Sequence, residues 1–250
     1  EPDLFANCLK PHRRGKETVG GTMLQVGTIV DGQFEIVCSL GSGAQATVYR
    51  ALDLHLQREV ALKLMHIGAE QDLNSEQRFQ REARLISLLQ HPNILRCYKF
   101  GQWEGSFYTC VDFFDGISLS DMLRVGPMPW RRAIRICIQV AHAMQHSHDQ
   151  GVVHRDLTPR NILLAKEAAD IDQVKVVDFG LGKWLGADAS YQKLTQTGDV
   201  IGSIYCMSPE QCTGNEADGR SDVYALGCIL YNCLTGEPSF LALELSLIHI

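Results

Sequence analysis

The chain has 250 residues, 45% of them hydrophobic and 21% charged, with a formal net charge of −6 and a pI near 5.8. That length buries a sizeable core as one large domain or two lobes around a cleft, and the composition excludes a disordered chain. No apolar run approaches the ~20 residues that a membrane helix needs, and no global basic field exists to attract nucleic acid, the cluster at His12, Arg13, Arg14 and Lys16 being short.

Residues 1–26 carry no steady periodicity and read as a linker or upstream remnant. From Gly32 to Lys63, β-rich runs ("QFEIVCSL", "TVYRALD", "REVALKLM") flank a glycine-rich break, which predicts an antiparallel meander. A helix is expected over 74–90, where Phe79, Ala83, Ile86 and Leu89 recur at helical spacing and "HPN" ends the pattern. Strands are expected near 94–101 and 106–112. After "DFFDG" the pattern turns helical, at 118–125 and over the long apolar 129–151. The fold class is therefore α+β: a small, mainly antiparallel β lobe over about 27–112, then a mainly α lobe over about 117–240. The hydrophobic pattern loses sense after 240. "LSLIHI" at 245–250 resembles a translated sequencing adapter, so 241–250 is read as an artefactual tail and the α lobe as truncated, which would expose apolar surface near Leu226, Ile229 and Leu230. The nine cysteines form no CxxC pair and lie mostly in apolar segments, which speaks for a reducing, cytoplasmic setting over a zinc site.

Four motifs carry chemistry. "LGSGAQATVY" (40–49) lies between two strands and lacks the GK[ST] of a Walker loop, but its small residues would let backbone approach phosphate oxygens. In isolation it is also an ordinary hairpin turn. "VALK" (60–63) ends on Lys63, and the following helix offers Glu82 as its partner. "HRDLTPRN" (154–161) sets Asp156 and Asn161 five apart on one loop. "VKVVDFG" (174–180) places Asp178 at the end of a buried strand, so oxygen ligands and a base converge.

With "REA", "HPNI", "MSPEQ" and "RSDVYALGCILYNCLTGEPSF" in the same order, the chain resembles the eukaryotic-like protein kinase superfamily, closest to its bacterial serine/threonine branch, over about 32–240. The resemblance implies a bilobal fold that binds ATP and Mg2+, with Mn2+ as the alternative ion, and phosphorylates Ser/Thr hydroxyls of proteins. Asp156 would take or orient the acceptor proton, Asn161 and Asp178 would hold the metal, and Lys63, fixed by Glu82, would hold the phosphates. The nucleotide would lie against Leu40, Gly41, Ser42, Gly43, Ala44, Gln45, Ala46, Thr47 and Val48, with Val48, Ala61 and Leu163 around the base. Val111 would be the gatekeeper, and Asp112, Phe113 and Phe114 the hinge. Ile86, Cys97, His154 and Phe179 would form a column joining the lobes, anchored on Asp222.

Two departures stand out. Ala46 replaces the third loop glycine, and Thr158 stands where such kinases place a lysine; Arg160 is the candidate to supply the missing cation. Ser203 matches the residue that supports Ser/Thr acceptors. Thr195 and Thr197 resemble activation-loop phosphosites facing Arg155, reached by autophosphorylation in a transient homodimer. Glu210 is expected to pair with an arginine beyond the chain's end. The competing reading is a pseudokinase that binds nucleotide or partners without transfer.

Overall fold

The computed structural model describes residues 23–43, 46–66, 85–166, 171–179 and 204–239. Six strands, β1 (Ile29–Val30), β2 (Phe34–Ser42), β3 (Ala46–Asp53), β4 (Arg58–Met65), β5 (Cys97–Trp103) and β6 (Ser106–Asp112), form one antiparallel sheet in the order β1-β2-β3-β4-β6-β5. Alternation in the sequence becomes alternation of faces. Tyr49, Ala51, Leu62, Tyr108 and Cys110 pack with Phe34 and Ile36 into an upper core. On the opposite face, the register sets Val48 across from Lys63 and Ala61 across from Val111, so these four side chains share the side away from that core.

The lower lobe follows the hinge. β7 (Ile117–Ser118) leads into α1 (Leu119–Leu123), capped by Ser118 accepting from the Asp121 amide. It is shorter than the predicted 118–125: Arg124 caps it, and Val125, 82% exposed, lies in the turn that follows. α2 (Trp130–Asp149) matches the expected long helix within two residues at each end. It buries Ala133, Ile136, Cys137, Val140, Ala143, Met144 and Ser147 along one stripe, and the chain leaves it through Gln150 and a positive-φ Gly151. A 3-10 turn (Pro159–Asn161), β8 (Ile162–Lys166) and β9 (Asp172–Val176) come next, β7-β8-β9 forming a second, small antiparallel sheet. The chain closes with the single turn α3 (Pro209–Cys212) and with α4 (Gly219–Thr235), which Asp218 caps and Gly236 ends at φ +78°.

The lower core joins α2, β8, β9 and α4 through Ile136, Val140, Ile162, Val174, Val176 and Ile229, each fully buried. Each such side chain contributes roughly 1.5–3 kcal/mol by leaving water. Ile229 lies inside the core, and Leu226 and Leu230 pack against its edge. Val223, Tyr231 and Leu234 are the outward apolar residues of that helix.

Of the helix expected over 74–90, the described part is one helical turn at 85–87. The loop after it is bound to the lower lobe. Val176 donates its amide to the Asn93 carbonyl (2.8 Å), Leu95 donates to the Val176 carbonyl (2.9 Å), and the Asn93 side chain reaches Gln139 and the Val174 carbonyl.

Candidate active site

Lys63 closes the gap between the lobes. Its side chain lies on the face opposite the upper core, and its ammonium meets Asp178 Oδ1 at 2.7 Å. The face that also carries Val48, Ala61 and Val111 is therefore the one turned toward the lower lobe. Ala61 is buried and Val48 and Val111 half-buried, while Leu163 is half-buried on β8 in the small sheet below. The hinge leaves β6 with the Asp112 amide donating to the Arg96 carbonyl at 2.9 Å, and the Arg50 guanidinium lies 4.7 Å from the centre of the Phe113 ring. Of the glycine loop, Leu40, Gly41, Ser42 and Gly43 are exposed, and Ala46 and Thr47 are buried. Gly43 donates to the Ala46 carbonyl and Ser42 bonds Thr47 side chain to side chain, which closes the hairpin.

The loop 154–161 is held by hydrogen bonds at nearly every residue. Asp222, 1% exposed on the first turn of α4, accepts from the backbone amides of His154 (2.9 Å) and Arg155 (3.0 Å), and bonds His148 Nε2 (2.8 Å). Arg155 adopts φ +63°, a conformation that costs a residue with a side chain about 1–3 kcal/mol and persists when its surroundings impose it. His154 Nδ1 accepts from the Asp156 amide (3.3 Å), so its Nε2 is the donor to the Val177 carbonyl (3.0 Å): a neutral ring fixed in one tautomer. That ring packs on Phe179 with centroids 4.6 Å apart.

Asn161 brings the metal-type oxygens together. Its Nδ2 donates to the Asp156 carbonyl (2.8 Å) and approaches Asp156 Oδ2 (3.3 Å), which leaves Oδ1 as the atom with ligating chemistry. Its backbone carbonyl accepts from the Val177 amide at 3.0 Å, one residue before Asp178. An amide oxygen and a carboxylate are hard donors, too few to cage an ion alone and suited to magnesium that keeps waters and phosphate oxygens. The residues present thus fit that ion. Among the described residues no group of three or more His, Cys, Asp or Glu could hold a metal. Burial pushes the Cys97, Cys110, Cys206 and Cys233 thiols up to about 12, where they are packing groups rather than ligands.

Of the expected site residues, the structure pairs Lys63 with Asp178 and Asn161 with Asp156, and joins the two pairs through the Val177 amide on the Asn161 carbonyl, whereas Glu82, Ala44, Gln45, Thr195, Thr197 and Ser203 lie outside the described residues. Thr158 is buried, 4% exposed, and Arg160 is exposed; with Ser120, Cys206, Cys228 and Asn232 they line a cavity of about 200 Å³. Of the expected column, His154 and Phe179 touch, and Ile86 packs on the same core, but the Cys97 thiol is turned to the Cys110 carbonyl (3.4 Å) within the upper sheet. Glu210 accepts from Ser221 Oγ, one residue before Asp222, which holds its carboxyl below the usual range; the arginine expected to pair with it would lie beyond the chain's end.

Sequence reasoning missed Gln211, whose Nε2 donates to the Arg155 carbonyl at 2.8 Å. Its signal was the S-x-x-Q spacing of Ser208 and Gln211, a capping box.

Comparison with known proteins agrees with this geometry. The family model described as the protein kinase domain matches residues 34–247. The serine/threonine-protein kinase PknJ of Mycobacterium tuberculosis is 39% identical over 219 residues, covering 88% of this chain and 36% of that protein. PknB of Mycobacterium leprae is 40% identical over 214 residues, 84% of this chain and 33% of its own length. The crystal structure of the Mycobacterium tuberculosis PknI kinase domain superposes with a TM-score of 0.70 at 26% identity, over 91% of this chain and 86% of that one. The chain spans about a third of the length of these curated relatives.

Proposed function

This chain belongs to the protein kinase family, bacterial branch, with that family's bilobal fold and its use of ATP and a divalent metal, and from that premise we propose that the whole protein transfers the γ-phosphoryl group of ATP to Ser/Thr hydroxyls of proteins. The observation that carries the reading is the meeting of Lys63, Asp178, Asn161 and Asp156 across the cleft.

Each side chain has a part in the transfer. Asp156 orients the acceptor hydroxyl and takes its proton, and its carboxylate is held in place by Asn161. Asn161 Oδ1 and Asp178 hold magnesium, or manganese in its place, which when bound neutralises charge on the phosphates. Lys63 exchanges Asp178 for phosphate oxygens with Glu82 steadying it. Val48, Ala61 and Leu163 enclose the base beside Val111, and the backbone of 112–114 reads its edge. Catalysis is then positioning and charge neutralisation. Arg160, exposed beside the cavity that Thr158 lines, supplies the cation that Thr158 lacks. Thr195 and Thr197 are the phosphosites, modified within a transient homodimer. The kinase domain works in the cytoplasm, where ATP and reduced thiols coexist; among the described residues no helix is long and apolar enough to cross a membrane.

Incorporation of labelled γ-phosphate into a Ser/Thr peptide by wild type, and its loss in Asp156→Ala with nucleotide binding intact, is the expected result. Nucleotide-dependent thermal stabilisation of wild type without incorporation would replace this reading with that of a binding module.

A further inference from the structure

The peptide bond between Arg155 and Asp156 is gripped at both ends. Its N–H donates to His154 Nδ1 (3.3 Å) and its carbonyl accepts from Gln211 Nε2 (2.8 Å). The residue before it sits at φ +63°, so this peptide plane is a strained one whose tilt sets where the Asp156 side chain emerges. His154 belongs to the same loop, and Asp222 of α4 holds the preceding amide, that of Arg155. Gln211 is the restraint that comes from the end of the segment running from residue 180 to α3.

The same amide faces that segment with its other atom. Gln211 Oε1 accepts from the Ser208 amide and from Ser208 Oγ, both at 3.2 Å, and Ser208 is fully buried. The network fixes the orientation of the amide: the oxygen must meet the Ser208 N–H, so the nitrogen must meet the Arg155 carbonyl. One planar group therefore ties residues 204–208 to the peptide that aims Asp156.

We propose that Gln211 is a positioning residue for phosphoryl transfer, its amide passing the placement of the segment before α3 to Asp156 through the Arg155 carbonyl. This rests on the assignment of Asp156 made above. Glutamate separates the two halves of the amide. In Gln211→Glu the carboxylate still accepts from Ser208, so the cap survives, but it cannot donate to the Arg155 carbonyl and repels it. Misplacing a reacting group by about 1 Å costs on the order of 100-fold in rate.

The test is made on the full chain with Gln211→Glu, Gln211→Ala and Asp156→Asn. Expected for Gln211→Glu is a kcat lower by about 10- to 100-fold, with KM for Mg-ATP and the melting temperature close to wild type, and an upfield shift of the Arg155 carbonyl-carbon resonance as its hydrogen bond is lost. Gln211→Ala should lose the same kcat and also melt earlier, since its cap is gone. A Gln211→Glu protein with wild-type kcat overturns the proposal, as does an unmoved Arg155 resonance. A kcat that falls only in step with melting temperature overturns it too, because that is what a purely structural cap would give. If Asp156→Asn transfers phosphate as fast as wild type, the assignment of Asp156 has failed instead, and the Arg155 resonance still judges the Gln211 bond on its own.

Discussion

Asp222→Ala is the perturbation whose cost can be worked from contacts. Asp222 is 1% exposed and accepts from the amides of His154 and Arg155, both through one carboxylate, with His148 as a third partner. Alanine leaves the buried His154 amide and the half-buried Arg155 amide without this acceptor, at about 1–3 kcal/mol each, the second toward the low end. The strain at Arg155, about 1–3 kcal/mol, is then free to relax, which returns part of the cost but moves the peptide before Asp156. The net loss is about 3–4 kcal/mol, a large share of the ~5–15 kcal/mol by which domains are stable. For a unit of this size that lowers the melting temperature by roughly 10 °C. Asp222→Asn, which keeps one acceptor oxygen but turns an NH2 toward a donor, should fall between. Urea and thermal unfolding of the three proteins measure both losses. A melting temperature for Asp222→Ala within about 2 °C of wild type, where 1 kcal/mol is worth about 2–4 °C, would refute the claim that this carboxylate holds the loop.

Arg132 on α2 grips Asp172 on β9 with two parallel bonds of 2.7 Å, and Asp172 is 6% exposed. Arg132→Met should destabilise by about 3–5 kcal/mol through the orphaned buried carboxylate, and Arg132→Lys by less but measurably, since a point charge cannot serve both oxygens; urea midpoints check both. A Cβ at Gly116 would lie 2.7 Å from the Leu164 carbonyl and 2.6 Å from the Phe114 ring. The ring can yield and the carbonyl cannot, so Gly116→Ala should cost about 1–3 kcal/mol and weaken nucleotide binding by moving residues 112–114, as calorimetric titration would show. Hydrogen bonds from Lys99 and Tyr108 hold the Asp31 carboxyl below its ordinary value of 3.8. Because that value is depressed by folding, the stabilisation is complete above pH 3.8 and vanishes as pH falls through the folded value. Asp31→Asn should melt earlier than wild type at pH 7, and the gap should close in acid.

Where the sequence spoke clearly, it did so through period and spacing. β3 alternates buried and half-buried positions along most of its eight residues, and α2 repeats its apolar stripe over 20. The spacing of Asp156, Asn161 and Asp178 puts a loop beside a strand end, where the Val177 amide bonds the Asn161 carbonyl. What it could not show are pairings between distant segments with no period to announce them. Arg132 looks like any helix-surface arginine until β9 brings Asp172 beside it, and Gln211 reads as a cap until its second amide atom is traced to Arg155. The bond from Ser221 to Glu210 is of the same kind, joining two segments that no period links. β1 and β7, two residues each, are too short to carry alternation at all.

The bond from the Val177 amide to the Asn161 carbonyl yokes two otherwise separate stretches of chain. Asp178 follows Val177 directly, so a swing of its backbone drags the neighbouring amide side chain along with it. A change of backbone on either side must therefore break that bond or carry the other side with it, so the two stretches share one constraint.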